Sequence, residues 1–249
     1  MLPEIPAEQS RAAIEAIARE ILLEGNVERP PVNAIELARR LDLVVARDEA
    51  AATRARFVRL GPGGGSATGA GTILLADDPR PERRQWAVAH EIGESRAHRV
   101  FAELGINPMD APESAREAIA NRLAGSLLLP WEWFRADGAA THWDLSDLKA
   151  IYSTASNELI ARRMLEMPPP IIITLLDQGR CSWRRGNRAL HPPPLTEPEQ
   201  AAWRVARESG RPAECDHSEL PEGIADVRVW PIHEEGWRRE IIRMELSEW

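Results

Sequence analysis

The chain has 249 residues, of which 43% are hydrophobic and 28% charged. That is the balance of a globular protein with one or two cored domains, and it excludes disorder of the whole chain. The formal net charge is −8, which opposes the basic face of a duplex-DNA reader, so direct nucleic-acid binding is not expected.

The first residues, MLPEIPAEQS, hold neither a basic n-region nor an apolar h-region, so no signal peptide is read there. Residues 8–24 repeat apolar side chains at helical spacing (Ile14, Ile17, Ile21, Leu22), with Gly25 as a stop. Residues 30–43 read as a second helix with Asn33 as its N-cap. LVVARD (43–48) and RARFVRL (54–60) read as short strands. GPGGGSATGAG (61–71) reads as a flexible loop and TILLADD (72–78) as a strand. The longest helical stretch is 79–105, with Pro81 in its first turn and Gly105 at its end. A helix over 112–129 ends at Pro130, and 144–167 reads as two short helices around a turn near Ser153. Residues 170–179 and 180–186 form a strand pair, and HPPPLTEP (191–198) is a linker. A helix over 198–209 and two further strands, ADVRVWPI and REIIRMEL, close the chain.

No apolar run approaches the roughly 18 residues of a membrane span. Cys181 and Cys215 are too few for a disulfide framework and are read as free thiols in a reducing compartment. The expected location is the cytoplasm, with no membrane partner.

Chemistry concentrates in Ala87-Val88-Ala89-His90-Glu91-Ile92-Gly93-Glu94. On a helix, residues i and i+4 lie about 40° apart around the axis and roughly 6 Å apart along it, so both can reach one ion. The residue at i+1 sits about 100° round, close enough to serve a water without ligating. This is why H-E-x-x-H works as a zinc-peptidase motif. Here the fifth position is Glu94, and carboxylate is also a zinc ligand type. Alone the motif is weak, because helical faces often carry such charges. His98, about 12 Å further along the helix, is too far from His90 to share its ion.

The surrounding segments sharpen the reading. PPVNAIELARRLDL, GTILLADDPRPERRQWAVAHEIGE, EAIANRLAGSLLLP and DLSDLKAIYSTASNELIARRM occur in the order and spacing of the ImmA/IrrE-like zinc metallopeptidase family, which residues 30–180 resemble. The resemblance implies an α+β, zincin-like peptidase domain over 1–140, a small sheet packed on helices with one helix bearing HExxE. A helix-turn-helix-like segment over 141–168 and a small C-terminal α+β region over 169–249 follow.

Residue by residue, the resemblance makes His90 the first zinc ligand, Glu91 the general base and Glu117 the third ligand. It puts Asn121, Ala124, Leu127, Leu128 and Pro130 at structural positions. Glu94 stands where the family has its second zinc histidine. The implied cofactor is one Zn²⁺ per chain. The implied activity is endoproteolysis of a regulatory protein such as a DNA-binding repressor. The alternative is a non-catalytic relative that serves as an interaction module.

Four further features carry a plain reading beside a functional one. Glu113 is read as a solvated carboxylate in a first turn. Arg162 and Arg163 sit among acids and are read as structural. Trp131, Trp133, Trp143 and Trp183 are read as core or domain-interface residues before a substrate groove. Arg184, Arg185 and Arg188 are read as a solvated strand-end face.

Overall fold

The computed structural model describes residues 5–48, 55–59, 71–188, 191–216, 218 and 220–247. The loop read over 61–71 lies outside these except for Gly71. The chain divides into two compact units, 1–142 with 147–156, and 143–146 with 157–249.

In the first unit, α1 (Ala7–Glu24) buries Ile14, Ile17, Ile21 and Leu22, the stripe that the sequence spacing predicts. α2 (Ala34–Arg40) starts at Asn33, whose side chain accepts from the amides of Ile35 and Glu36. Strands β1 (Val44–Asp48), β2 (Ala55–Arg59) and β3 (Gly71–Ala76) form a sheet in the order β1-β3-β2. β1 runs parallel to β3 and β2 antiparallel to it.

β3 leads into α3 (Pro81–Glu103), with Pro81 in its first turn. Gly105, just past its end, takes φ +69°, a left-handed conformation that favours glycine after a helix. Gln85 of α3 is buried; it accepts from the Ala34 amide at 2.6 Å and donates to Asn33 at 3.2 Å. This ties the start of α2 to the metal-motif helix.

A 3₁₀ turn (Pro108–Asp110) precedes α4 (Glu113–Leu128), which packs along α3 and also against α1. The pattern of 131–140 predicted no helix, yet α5 (Trp131–Ala140) forms there. It has no side-chain cap of its own. Glu15 of α1 accepts from the first amide of α5, Trp131, at 3.3 Å, and from Ser126 Oγ at 2.7 Å. A capping carboxylate 116 residues away in sequence is invisible to local pattern.

α6 (Leu145–Ile151) straddles the division between the units and α7 (Asn157–Met164) belongs to the second. Lys149, the only lysine, donates from Nζ to Glu82, to the Ser153 carbonyl and to the Ala155 carbonyl, each at 2.8 Å.

The second unit carries β4 (Ile171–Asp177), β5 (Arg180–Gly186), α8 (Glu197–Ser209), β6 (Ala213–Glu214), β7 (Ile224–Glu234) and β8 (Trp237–Leu246). The sheet order is β5-β4-β8-β7-β6, every described pairing antiparallel. α8 opens with a capping box of Thr196 and Glu199 and ends at Gly210 in the left-handed region. Its Ala202 and Ala206 meet Ile172, Leu176, Val227, Val229, Ile242 and Met244 in one apolar core.

Two carboxylates are buried beside that core. Glu199 takes both ends of the Arg184 guanidinium, at 2.7 and 3.0 Å. Glu240 receives Trp203, Arg207 and His233. Arg184 is thus a half-buried partner of α8, not part of a solvated strand-end face. Its acid lies fifteen residues on, beyond the linker, where no periodicity points to it.

Candidate metal centre

α3 and α4 build the cluster together. His90, Glu91 and Glu94 follow one another along α3 at positions i, i+1 and i+4. One possible ligand atom from each lies within 4.8 Å of the others. Glu117 is not in that triple. It comes from α4 and reaches His90 from the side, with its Oε2 3.5 Å from His90 Nε2.

That separation is informative. Two ligands on one tetrahedral ion, each about 2.0–2.2 Å from it, stand about 3.3–3.5 Å apart. The separation of His90 and Glu117 is compatible with a shared ion.

The helices can approach this closely because residue 93 is glycine. A Cβ there would lie 2.7 Å from the Ala120 carbonyl oxygen and 3.2 Å from the Leu123 Cβ. Any side chain at position 93 would drive α4, and with it Glu117, away from His90.

Glu91 differs from its neighbours in burial: it is 5% exposed. Among the described residues its Oε2 has no hydrogen-bond partner, while the Phe57 backbone N–H of β2 donates to the carboxylate. Burial pushes its pKa above the usual carboxylate value, and the negative charges of Glu94 and Glu117 push the same way. His90 and the Phe57 amide oppose them without cancelling the rise. A buried carboxylate with one unpartnered oxygen, facing an imidazole and a second carboxylate, fits the place of a base beside an ion.

The donor set suits a divalent cation: one imidazole nitrogen and carboxylate oxygens, with Glu94 and Glu117 on the exposed side. Asn121, read from the sequence as structural, donates from Nδ2 to Glu117 Oε1 at 3.0 Å. His98 is exposed and its Nδ1 lies 3.1 Å from the Ser95 carbonyl, away from the cluster. Glu113 is exposed in the first turn of α4. Arg162 stacks 4.5 Å over the Trp183 ring and pairs with Glu158, and Arg163 is buried against Glu166.

The family model of the peptidase M78, or IrrE N-terminal-like, domain matches residues 38–164, just over half of the chain and inclusive of the whole cluster. The chain belongs to this family, and its fold is mixed α+β with a zincin-like peptidase domain. Among solved structures, a Mycobacterium tuberculosis transcriptional regulator aligns with a TM-score of 0.62. The alignment covers 97% of this chain and 80% of that one at 17% identity, a likeness of fold. No curated protein matches the sequence. Among the described residues, no helix is long and apolar enough to cross a membrane.

Proposed function

We propose that the chain is a zinc-dependent endopeptidase that cleaves a regulatory protein such as a DNA-binding repressor. In this reading His90, Glu94 and Glu117 hold the ion and Glu91 is the base. The observation that supports it most is the 3.5 Å separation of His90 Nε2 and Glu117 Oε2, supplied by two different helices.

When bound, zinc supplies Lewis acidity toward the scissile carbonyl and makes water easier to deprotonate. The remaining work falls to the chain. Glu91 accepts the water proton at its unpartnered Oε2 and delivers it to the departing amide nitrogen. The Phe57 amide donates to that carboxylate and helps to hold it in place. Burial of Glu91 keeps bulk water from competing for the proton.

The test is incubation of the zinc-loaded chain with a candidate DNA-binding repressor. The reading expects cleavage at a defined bond, abolished by chelator and by Glu91→Gln. An intact repressor alongside a fully metal-loaded chain would remove the enzyme reading.

A second reading has its own observation. Glu94 replaces an imidazole by a carboxylate, which neutralises the ion's charge and weakens its polarising power. A chain that binds the repressor without cutting it would be a non-catalytic interaction module on the same fold.

A further inference from the structure

Glu117 is an exposed member of the cluster. Its side chain is 58% exposed, and it stands on a different helix from the other three. An exposed glutamate samples many rotamers and loses that freedom when fixed on an ion. A ligand of this kind binds well only if something else has already restricted it.

Asn121 lies one turn further along α4 and does this. Its Nδ2 is 3.0 Å from Glu117 Oε1 and 3.0 Å from the Glu117 carbonyl oxygen. The backbone contact anchors the asparagine to the helix, and the other contact grips the carboxylate. With Oε1 engaged by the amide, Oε2 is the oxygen that faces His90 at 3.5 Å. The two ends of one carboxylate thus have separate tasks.

We infer that Asn121 is a positioning residue of the metal centre: its amide holds Oε1 of Glu117 so that Oε2 alone is offered to the ion. This rests on the metal-centre reading above. The amide suits the task chemically. It donates without carrying charge, so it adds none to the cluster. Aspartate of the same shape has no donor when ionised and would repel Oε1. Alanine would leave the carboxylate free to turn into solvent.

The experiment uses the full chain, with zinc affinity measured by chelator competition and the visible spectrum recorded after loading with Co²⁺. Wild type, Asn121→Ala and Asn121→Asp are compared, and the melting temperature of each is taken without metal. Asn121 is only half-buried, so the metal-free melting temperatures should agree closely.

Wild type should bind one zinc ion, and both variants should lose about 10–100-fold in affinity, the usual effect of removing an outer-shell partner. The Co²⁺ bands should shift, because Glu117 then ligates in a different mode or not at all. Variants that bind zinc as tightly as wild type with an unchanged Co²⁺ spectrum would overturn the inference and leave the metal centre standing. So would variants that lose metal only in step with a collapse of the metal-free fold. A wild type that binds no metal would remove the metal-centre reading itself, and this inference with it.

Discussion

Gly93 of α3 lies directly against the backbone of Ala120 of α4, so close that a Cβ on residue 93 would sit 2.7 Å from the Ala120 carbonyl oxygen. The contact joins the helix that bears three of the cluster's residues to the helix that bears the fourth. Gly93→Ala would gain about 1 kcal/mol of helix propensity. Overpacking against a backbone that cannot rotate away would lose about 1–3 kcal/mol. The expected net result is a melting temperature a few degrees lower and a clear loss of zinc affinity, because Glu117 moves off with α4. Thermal denaturation with and without zinc separates the two effects. An unchanged zinc affinity would show that the helix approach does not set the site.

Glu91→Gln keeps the shape of the proposed base and removes its proton-accepting charge. Cleavage should fall by about 10²–10⁴-fold, while metal content stays at the wild-type level. Parallel assays of zinc content and repressor cleavage check this; loss of the metal as well would make Glu91 a ligand.

Glu94→His restores a second imidazole at the position where this chain departs from its family's pattern. Zinc affinity should rise by about tenfold or more, since imidazole suits zinc better than a second carboxylate and leaves the ion positive. Glu94→Ala should lose the metal. Chelator competition on both variants gives the answer; two variants indistinguishable from wild type would mean that Glu94 does not ligate.

Lys149 satisfies three acceptors at once from a half-buried position: Glu82 and the carbonyls of Ser153 and Ala155. Lys149→Met should destabilise the first unit by about 1–3 kcal/mol, because all three lose their donor. Lys149→Arg should rescue little, since a planar guanidinium cannot direct donors as an ammonium does. Denaturant melts of the three proteins test it, and full rescue by arginine would show that charge alone matters.

In the second unit, Asp177 accepts from Arg239 at 2.7 and 3.0 Å and from Ser182 at 2.7 Å. Burial alone would raise its pKa, but the Arg239 and Ser182 hydrogen bonds and the charge of Arg239 outweigh it, and the net shift is downward. A folded-state pKa below the unfolded one adds stability that is present in full above about pH 4. That stability is lost as pH falls through the lowered value. Asp177→Asn should therefore be about 1–2 kcal/mol less stable than wild type at pH 7. The gap should close as pH drops below about 4. Urea melts across pH 2.5–7 would show a constant gap if the ion pair did not contribute.

How much of this was legible in the sequence varies with the range of the interaction. Ile14, Ile17 and Ile21 declare α1 by spacing, and Asn33 and Pro81 mark helix starts by local chemistry. Both kinds of signal act within a turn or two. His90, Glu91 and Glu94 could be grouped by helical geometry alone, whereas Glu117 needed the family resemblance. The contact of Gly93 with Ala120 shows how the two helices come so close. Asn121 was legible as part of a motif but not as a hydrogen-bond partner, since its donor's direction depends on the folded side chain. α5 went unseen because Glu15 caps it from another helix. Arg184 was misplaced because Glu199 lies across a linker. The β4–β8 pairing, which joins the two hairpins into one sheet, is likewise distant in sequence.

Metal content of the protein purified without chelator tests the central claim most directly. The account expects about one divalent ion per wild-type chain, and a chain without metal for His90→Ala and for Glu117→Ala, each variant still folded by circular dichroism. A wild-type chain that stays empty in millimolar zinc would contradict it.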